Sequence, residues 1–253
     1  MIEMQVLADK AAVGRAAAAF GAAAIKAAIA QRGEANIVVA TGASQFETLA
    51  ELVRADIDWS RVTAFHLDEY IGMPETHPAS FRGYLRARFT AHVPALRAFH
   101  FVEGDAPDLA AELARLNNLL RAHPIDVTFA GIGENAHLAF NDPPADFEET
   151  EAFKVVALDE LCRRQQFGED WFPSLEAVPR EAISMTIHQI MTSALIVLAV
   201  PDHRKADAVR ATLQAPISVD VPASILRRHA ACYLFLDPDS AAHVGQHPGA
   251  IHA

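Results

Sequence analysis

The most constraining stretch of this chain is Ile125-Asp126-Val127-Thr128-Phe129-Ala130-Gly131-Ile132-Gly133-Glu134-Asn135-Ala136-His137-Leu138-Ala139-Phe140-Asn141-Asp142-Pro143. It opens as an apolar run suited to a buried strand and breaks into a Gly-x-Gly turn. Glu134, Asn135, His137, Asn141 and Asp142 follow at once. Open α/β sheets place their ligands where a buried strand delivers its C-terminal end into such a turn. A histidine beside the turn is a residue type that can carry protons. The same residues also suit a tight βα connection in which His137 only satisfies backbone groups, and this segment alone leaves both readings open.

The rest of the chain alternates between helix and strand patterns. Residues 11–30 are Ala-rich, and alanine is the best helix former. Arg15 and Lys26 interrupt the run, which argues for a surface-packed helix over a signal peptide or membrane span. Residues 36–40, 61–67, 99–102, 125–131, 154–158, 182–187, 194–200 and 231–236 read as strands. Residues 80–92, 108–122 and 204–213 carry helical patterns; in 108–122 Leu109, Leu113, Leu116, Leu119 and Leu120 recur at helical spacing. Residues 159–173 fit neither period, and their polar character with exposed-looking aromatics suggests a lid. With no repeat, linker or composition shift to divide it, the chain is expected to form one Rossmann-like α/β domain over residues 1–253. Its mostly parallel sheet would carry helices on both faces.

Composition narrows the partners. A net charge of -11 with no basic cluster argues against nucleic acid. A small anionic ligand is still compatible, because a few local cations and backbone N–H groups suffice to hold one phosphate. Cys162 and Cys232 are far apart with no CxxC, which suggests a reducing compartment, no disulfide framework and no cysteine-based zinc site on spacing. The tail histidines His243, His247 and His252 also lack ligand spacing on a defined element. The expected location is the cytoplasm, with no membrane partner.

Because parallel strands run the same way, four strand ends fall along one edge of the sheet. Thr41-Gly42-Ala43-Ser44 is a small-residue turn at a helix start, where hydroxyls and backbone N–H groups favour a phosphate, or where Ser44 caps the helix. Asp68-Glu69-Tyr70 ends an apolar strand; adjacent residues point to opposite faces, so at most one carboxylate faces a shared cleft. Desolvation there raises a carboxyl pKa and suits a general acid or base. The third end holds His137. The fourth holds Lys205 at a helix start, where a cation is unfavourable unless an anion sits there too.

The run Val62-Thr63-Ala64-Phe65-His66-Leu67-Asp68-Glu69-Tyr70-Ile71-Gly72-Met73-Pro74, with His77-Pro78-Ala79-Ser80-Phe81, resembles the glucosamine-6-phosphate deaminase family. So does Gly131 through Pro143. Tyr70 and Phe140-Asn141 favour this family over its sister, the 6-phosphogluconolactonases. The resemblance implies conversion of glucosamine 6-phosphate and water to fructose 6-phosphate and ammonia, without metal or organic cofactor. Asp68 would match the base acting between C2 and C1, and His137 the group that opens the sugar ring. Asn135 and Asp142 would match the residues flanking that histidine, where the family commonly has Asp and Glu. Thr41, Gly42, Ala43, Ser44 and Lys205 would match the phosphate site, Ala43 standing where a glycine is common. A lid arginine would match Arg163 or Arg164. The implied partner is a phosphorylated amino sugar, and a homo-oligomer is left open. Two alternatives stand beside this expectation: a lactonase of the sister type, and a regulator that binds a sugar phosphate without converting it.

Overall fold

The computed structural model describes residues 2–168, 170–245 and 250–252. Its elements run β1 (Glu3–Val6), α1 (Lys10–Arg32), β2 (Ala35–Val39), α2 (Phe46–Leu52), β3 (Val62–His66), β4 (Asp68–Tyr70), α3 (Phe81–Arg88), β5 (Ala98–His100) and α4 (Leu109–Ala122). There follow β6 (Val127–Ala130), β7 (Phe153–Ala157), α5 (Glu160–Gly168), β8 (Glu181–Met185), α6 (Ile187–Met191), β9 (Leu195–Val200), α7 (Ala206–Gln214), β10 (Cys232–Leu236) and β11 (Ala250–His252).

Eight strands form one sheet in the order β11-β1-β10-β9-β6-β2-β3-β5, and every described pairing in it is parallel. Parallel strands buried on both faces need apolar side chains pointing both ways. The alternation of a strand accordingly divides its residues between two cores. Ile37, Val39, Val127 and Phe129 pack with Val13, Ala17 and Ile25 of α1 and Leu49 and Leu52 of α2. Val38, Ala130, Ile196 and Leu198 pack instead with Leu116 and Leu120 of α4 and Val209 and Leu213 of α7. Helices on both faces of a mostly parallel sheet are the architecture expected from the sequence.

Helix α1 is the one element among the described residues long and apolar enough to cross a membrane, at a mean hydropathy of 1.4. Val13, Ala17, Ala18 and Ile25 on its inner face are buried against the sheet, so it serves as a core helix.

The structure departs from the sequence reading in three places. Residues 62–70 divide at Leu67: β3 stays in the large sheet, while β4 pairs antiparallel with β8, which pairs antiparallel with β7. This three-stranded sheet was not foreseen, because period and composition do not say which strand pairs with which. Its underside holds a third core of Tyr70, Met73, Phe140, Leu158, Cys162 and Phe172. The aperiodic lid segment contains a helix, α5, whose apolar stripe is obscured by exposed Leu161 and Phe167. Strand β1 is only four residues long and draws its position from pairing with β10. His247 lies outside the described residues.

Candidate active site

The C-terminal ends of β2, β3, β6 and β9 border an open cleft, the place where parallel α/β sheets hold small ligands. Thr41, Gly42, Ala43, Ser44, Asp68, His137 and Lys205 all line it. The cleft divides into a cationic half and an acid–base half.

The cationic half is built on the turn after β2. Gly42 has φ 94°, a conformation that L side chains rarely adopt, and it opens the single 3₁₀ turn that leads into α2. Buried Gln45 anchors the turn: its Nε2 donates to Ser44 Oγ at 3.0 Å and to Ala199 O, at the end of β9, at 3.1 Å. Across the cleft, Asp202 takes φ 92° and its carboxylate accepts the Arg204 N–H at 3.0 Å, shaping the turn His203–Lys205. Lys205 is buried there, and Arg204 and Lys10 also line the cleft. Three cations thus converge in a chain whose overall charge is strongly negative.

In the acid–base half, Asp68 opens β4 and Glu69 follows on the opposite face. The Asp68 carboxyl lines the cleft but is 5% exposed, and burial, reinforced by the adjacent Glu69 charge, pushes its pKa up to about 8. Glu69 turns away and accepts hydrogen bonds from Tyr70 N, Ser80 Oγ, Phe81 N and Arg82 N, which ties β4 to the start of α3. Burial raises its pKa as well, against those four bonds.

His137 sits on the loop after the Gly-x-Gly turn. Gly133 N donates to His137 O and Ala136 N to Gly133 O, both at 3.0 Å, and Ala136 and Ala139 are left-handed at φ 65° and 50°. A Cβ on Gly133 would fall 2.3 Å from His137 Cε1 and Nε2, so only glycine leaves room for the ring. On the far side, Nδ1 lies 3.0 Å from Asp142 Oδ1, yet out of line for an N–H···O bond.

Asn135 and Asp142 do not line the cleft; they stand behind the ring. Asn135 Oδ1 accepts the His137 N–H at 3.2 Å, and its Nδ2 donates to Asp142 Oδ1 at 3.0 Å and to Asp159 Oδ2 at 3.3 Å. Asp142 Oδ2 accepts the Asp159 N–H at 3.0 Å, and Asp159 Oδ1 accepts Cys162 N at 2.6 Å at the start of α5. Burial alone would raise the Asp142 pKa, but the His137 ring and these donors hold it below the usual carboxylate value. Spacing alone argued against a cysteine-based metal cluster, yet the fold brings donor atoms of His137, Asp142 and Cys162 within 4.8 Å of one another.

Neither lid arginine reaches the cleft. Arg163 donates to Leu175 O and Val178 O, while Arg164 makes an exposed ion pair with Glu160 one helical turn back. The lid contributes Gln165 and Gln166 in their place: Gln165 Oε1 accepts Glu134 N at 2.9 Å, and Gln166 Oε1 accepts the Tyr70 hydroxyl at 2.7 Å. These glutamines, Lys10, Arg204 and Gln45 were missed from sequence. Arg204 had a signal in its neighbour Lys205; the others carry none in their local context.

A parallel α/β sheet with a charged cleft at its C-terminal edge defines the class: this is an enzyme of the open α/β type. The sequence profile described as "Glucosamine-6-phosphate isomerases/6-phosphogluconolactonase" matches residues 8–234, and the chain belongs to that family. The glucosamine-6-phosphate deaminase of Streptococcus uberis is 35% identical over 210 residues, covering 83% of this chain and 88% of its own. That of Listeria welshimeri is 35% identical over 211 residues, with the same coverage. Among solved structures, a monomeric glucosamine-6-phosphate deaminase superposes with a TM-score of 0.86 at 30% identity, covering 96% of this chain and all of its own. A 6-phosphogluconolactonase from Shewanella baltica superposes at 0.77 with 17% identity, covering 94% and 97%, a likeness of fold alone.

Proposed function

We propose that this protein converts glucosamine 6-phosphate and water to fructose 6-phosphate and ammonia. The observation that carries the reading is one cleft holding a buried carboxyl of raised pKa, a histidine and a cationic turn at separate walls. The deaminase relatives, at 35% identity over most of the chain, support it.

Each part has work to do in that reaction. The phosphate rests against the Thr41–Ser44 turn and Lys205, where backbone donors and a buried cation match a dianion. His137 moves a proton to or from the ring oxygen, opening the pyranose to the free aldehyde. Asp68 then takes the proton from C2 and returns it to C1 while O1 gains a proton that the amino nitrogen gives up, leaving an imine at C2 that water hydrolyses to the ketone and ammonia. One carboxylate serves both carbons because they are adjacent, and a base held in place contributes about 10²–10⁴-fold. A pKa near 8 keeps the proton transferable in both directions. Asn135 and Asp142 position His137 from behind.

The test is release of ammonia and fructose 6-phosphate from glucosamine 6-phosphate by purified protein, with Asp68→Asn as control. The variant should lose about 10³-fold in kcat with KM little changed. Wild-type turnover no higher than that of Asp68→Asn would sink the proposal. Hydrolysis of 6-phosphogluconolactone without ammonia release would put a lactonase in its place.

A further inference from the structure

Behind His137, on the side away from Gly133, three donors of different chemistry meet. They are His137 Nδ1, a carboxylate oxygen of Asp142 and Cys162 Sγ, all within 4.8 Å of one another. We propose that this cluster is a binding site for a thiophilic divalent cation of the zinc class, and that occupancy switches the enzyme off.

The donor set selects the metal. Imidazole nitrogen with thiolate sulfur excludes magnesium and calcium, which take oxygen ligands, and suits zinc or cobalt. The donors of a tetrahedral zinc sit roughly 3.3–3.7 Å apart, given bonds of about 2.0–2.3 Å. The His137–Asp142 pair is at 3.0 Å, and closing the longer separations needs about an ångström of movement. Cys162 rides on α5, the lid helix, which can supply it.

An independent observation points to the same place. His137 is 7% exposed, and its Nδ1 has no aligned hydrogen-bond partner although a carboxylate stands 3.0 Å away. A buried ring nitrogen left in that state is unusual, since buried polar groups are nearly always bonded. A cation between Nδ1 and Oδ1 would give Nδ1 the partner it lacks and Oδ1 a second one beside Asn135 Nδ2. The supporting shell is present: Asn135 Nδ2 and Asp159 N hold the Asp142 carboxylate as outer hydrogen bonds hold metal-ligating carboxylates. Cys162 is buried and forms no disulfide, so without metal its sulfur is a free thiol. Binding therefore replaces a proton: Cys–SH and M²⁺ give Cys–S–M⁺ and H⁺, with no change of oxidation state.

Metal on Nδ1 would fix the His137 ring and tie its loop to α5, stopping both proton transfer and movement of the lid. That inhibitory consequence rests on the deaminase reading; the binding does not.

The experiment titrates purified, chelator-treated protein with Co²⁺ in the absence of substrate. The readout is thiolate-to-cobalt absorption in the near ultraviolet, followed by displacement with Zn²⁺. One Co²⁺ per chain should bind with this absorption, and Cys162→Ser should abolish it. Cys162→Ala serves as a second variant, circular dichroism checks that both are folded, and Cys232→Ser should keep the band. Asp142→Asn should weaken binding by at least about tenfold. Absence of the band in wild type, or an equal band in Cys162→Ser, overturns the site. In the activity arm, Zn²⁺ should inhibit wild type reversibly, with recovery on adding chelator, and leave Cys162→Ser unaffected. Equal inhibition of both overturns the switch. Failure of metal-free wild type to release ammonia counts against the deaminase reading alone, because the cobalt absorption decides the site without turnover.

Discussion

The two halves of the cleft solve opposite electrostatic problems with the same device, a loop carrying left-handed residues at a parallel strand end. In the cationic half, Gly42 and Asp202 turn the chain so that backbone donors and Lys205 face the cleft. In the other half, Ala136 and Ala139 turn it so that His137 comes back over Gly133. The cationic half gathers charge that a dianion neutralises. The acid–base half buries Asp68, Glu69 and Asp142, and it is burial, reinforced by the adjacent Glu69 charge, that makes the Asp68 carboxyl titrate so high. Left-handed backbone at a non-glycine residue is costly, about 1–3 kcal/mol, and tends to gather at functional sites. Here it appears on both walls of one cleft. The comparison teaches that binding and chemistry have separate supports and can be broken separately.

The largest expected effect lies in the acid–base half. Gly133→Ala places a Cβ 2.3 Å from the His137 ring, which cannot stay where it is. Loss of a positioned proton carrier is expected to cost about 10²–10³-fold in kcat, with KM for the phosphorylated sugar changed by less. Steady-state kinetics on Gly133→Ala check this, and a matching rise in KM would break the separation of the halves. Lys205→Ala should do the reverse. Removing a charge-assisted contact of about 1.5–3 kcal/mol should raise KM by about 10–100-fold with kcat largely kept. If KM stayed put, Lys205 would not hold the phosphate.

How much of this was readable beforehand follows from the same division. Thr41–Ser44, Asp68, His137 and Lys205 each stand within a few residues of a buried apolar run, and parallel strands bring such ends to one edge. Their convergence was therefore legible from the shared direction of parallel strands. What escaped was whatever depends on contacts between distant segments. Glu69 was read as half of an acidic pair, yet its partners are Ser80, Phe81 and Arg82. Gln45 gave no sign that it would reach Ala199. The lid's helical period was hidden by exposed Leu161 and Phe167, so nothing told that Gln165 and Gln166 rather than an arginine would face the cleft.

The raised Asp68 pKa sharpens the comparison through pH. As a base the carboxyl must be ionised, so kcat/KM should climb from pH 6 towards 9 with a free-enzyme pKa of about 8, losing about tenfold per unit below it. Glu69→Gln removes the second cause of the shift and should move the rise to lower pH. The linkage sign is definite. A carboxyl whose pKa is raised on folding contributes stability that is fully present below its unfolded value near 4. That contribution is lost as pH rises through about 8. Asp68→Asn should therefore be inactive yet melt higher than wild type at pH 9, by about 2–4 °C for each kcal/mol relieved. A lower melting temperature at that pH would mean that the ionised carboxyl has compensation the static structure lacks.

The smallest effect tests whether the lid belongs to the cationic half at all. Arg164 pairs with Glu160 one turn back on α5, and both side chains are more than 60% exposed. Exposed i,i+4 pairs contribute about 0.3–0.5 kcal/mol, too little to matter to stability, and Arg164 does not line the cleft. Arg164→Ala should leave KM and kcat within about twofold of wild type, the range of about 0.5 kcal/mol expected of surface changes. Arg204, which does line the cleft and lies 3.7 Å from Glu134 across the boundary between the halves, makes the contrast. Its removal should raise KM by more than that of Arg164. If Arg164→Ala raised KM as far as Lys205→Ala, the lid would have to turn its arginine inward once substrate binds. The two halves would then be joined by the substrate itself, and α5 would belong to both.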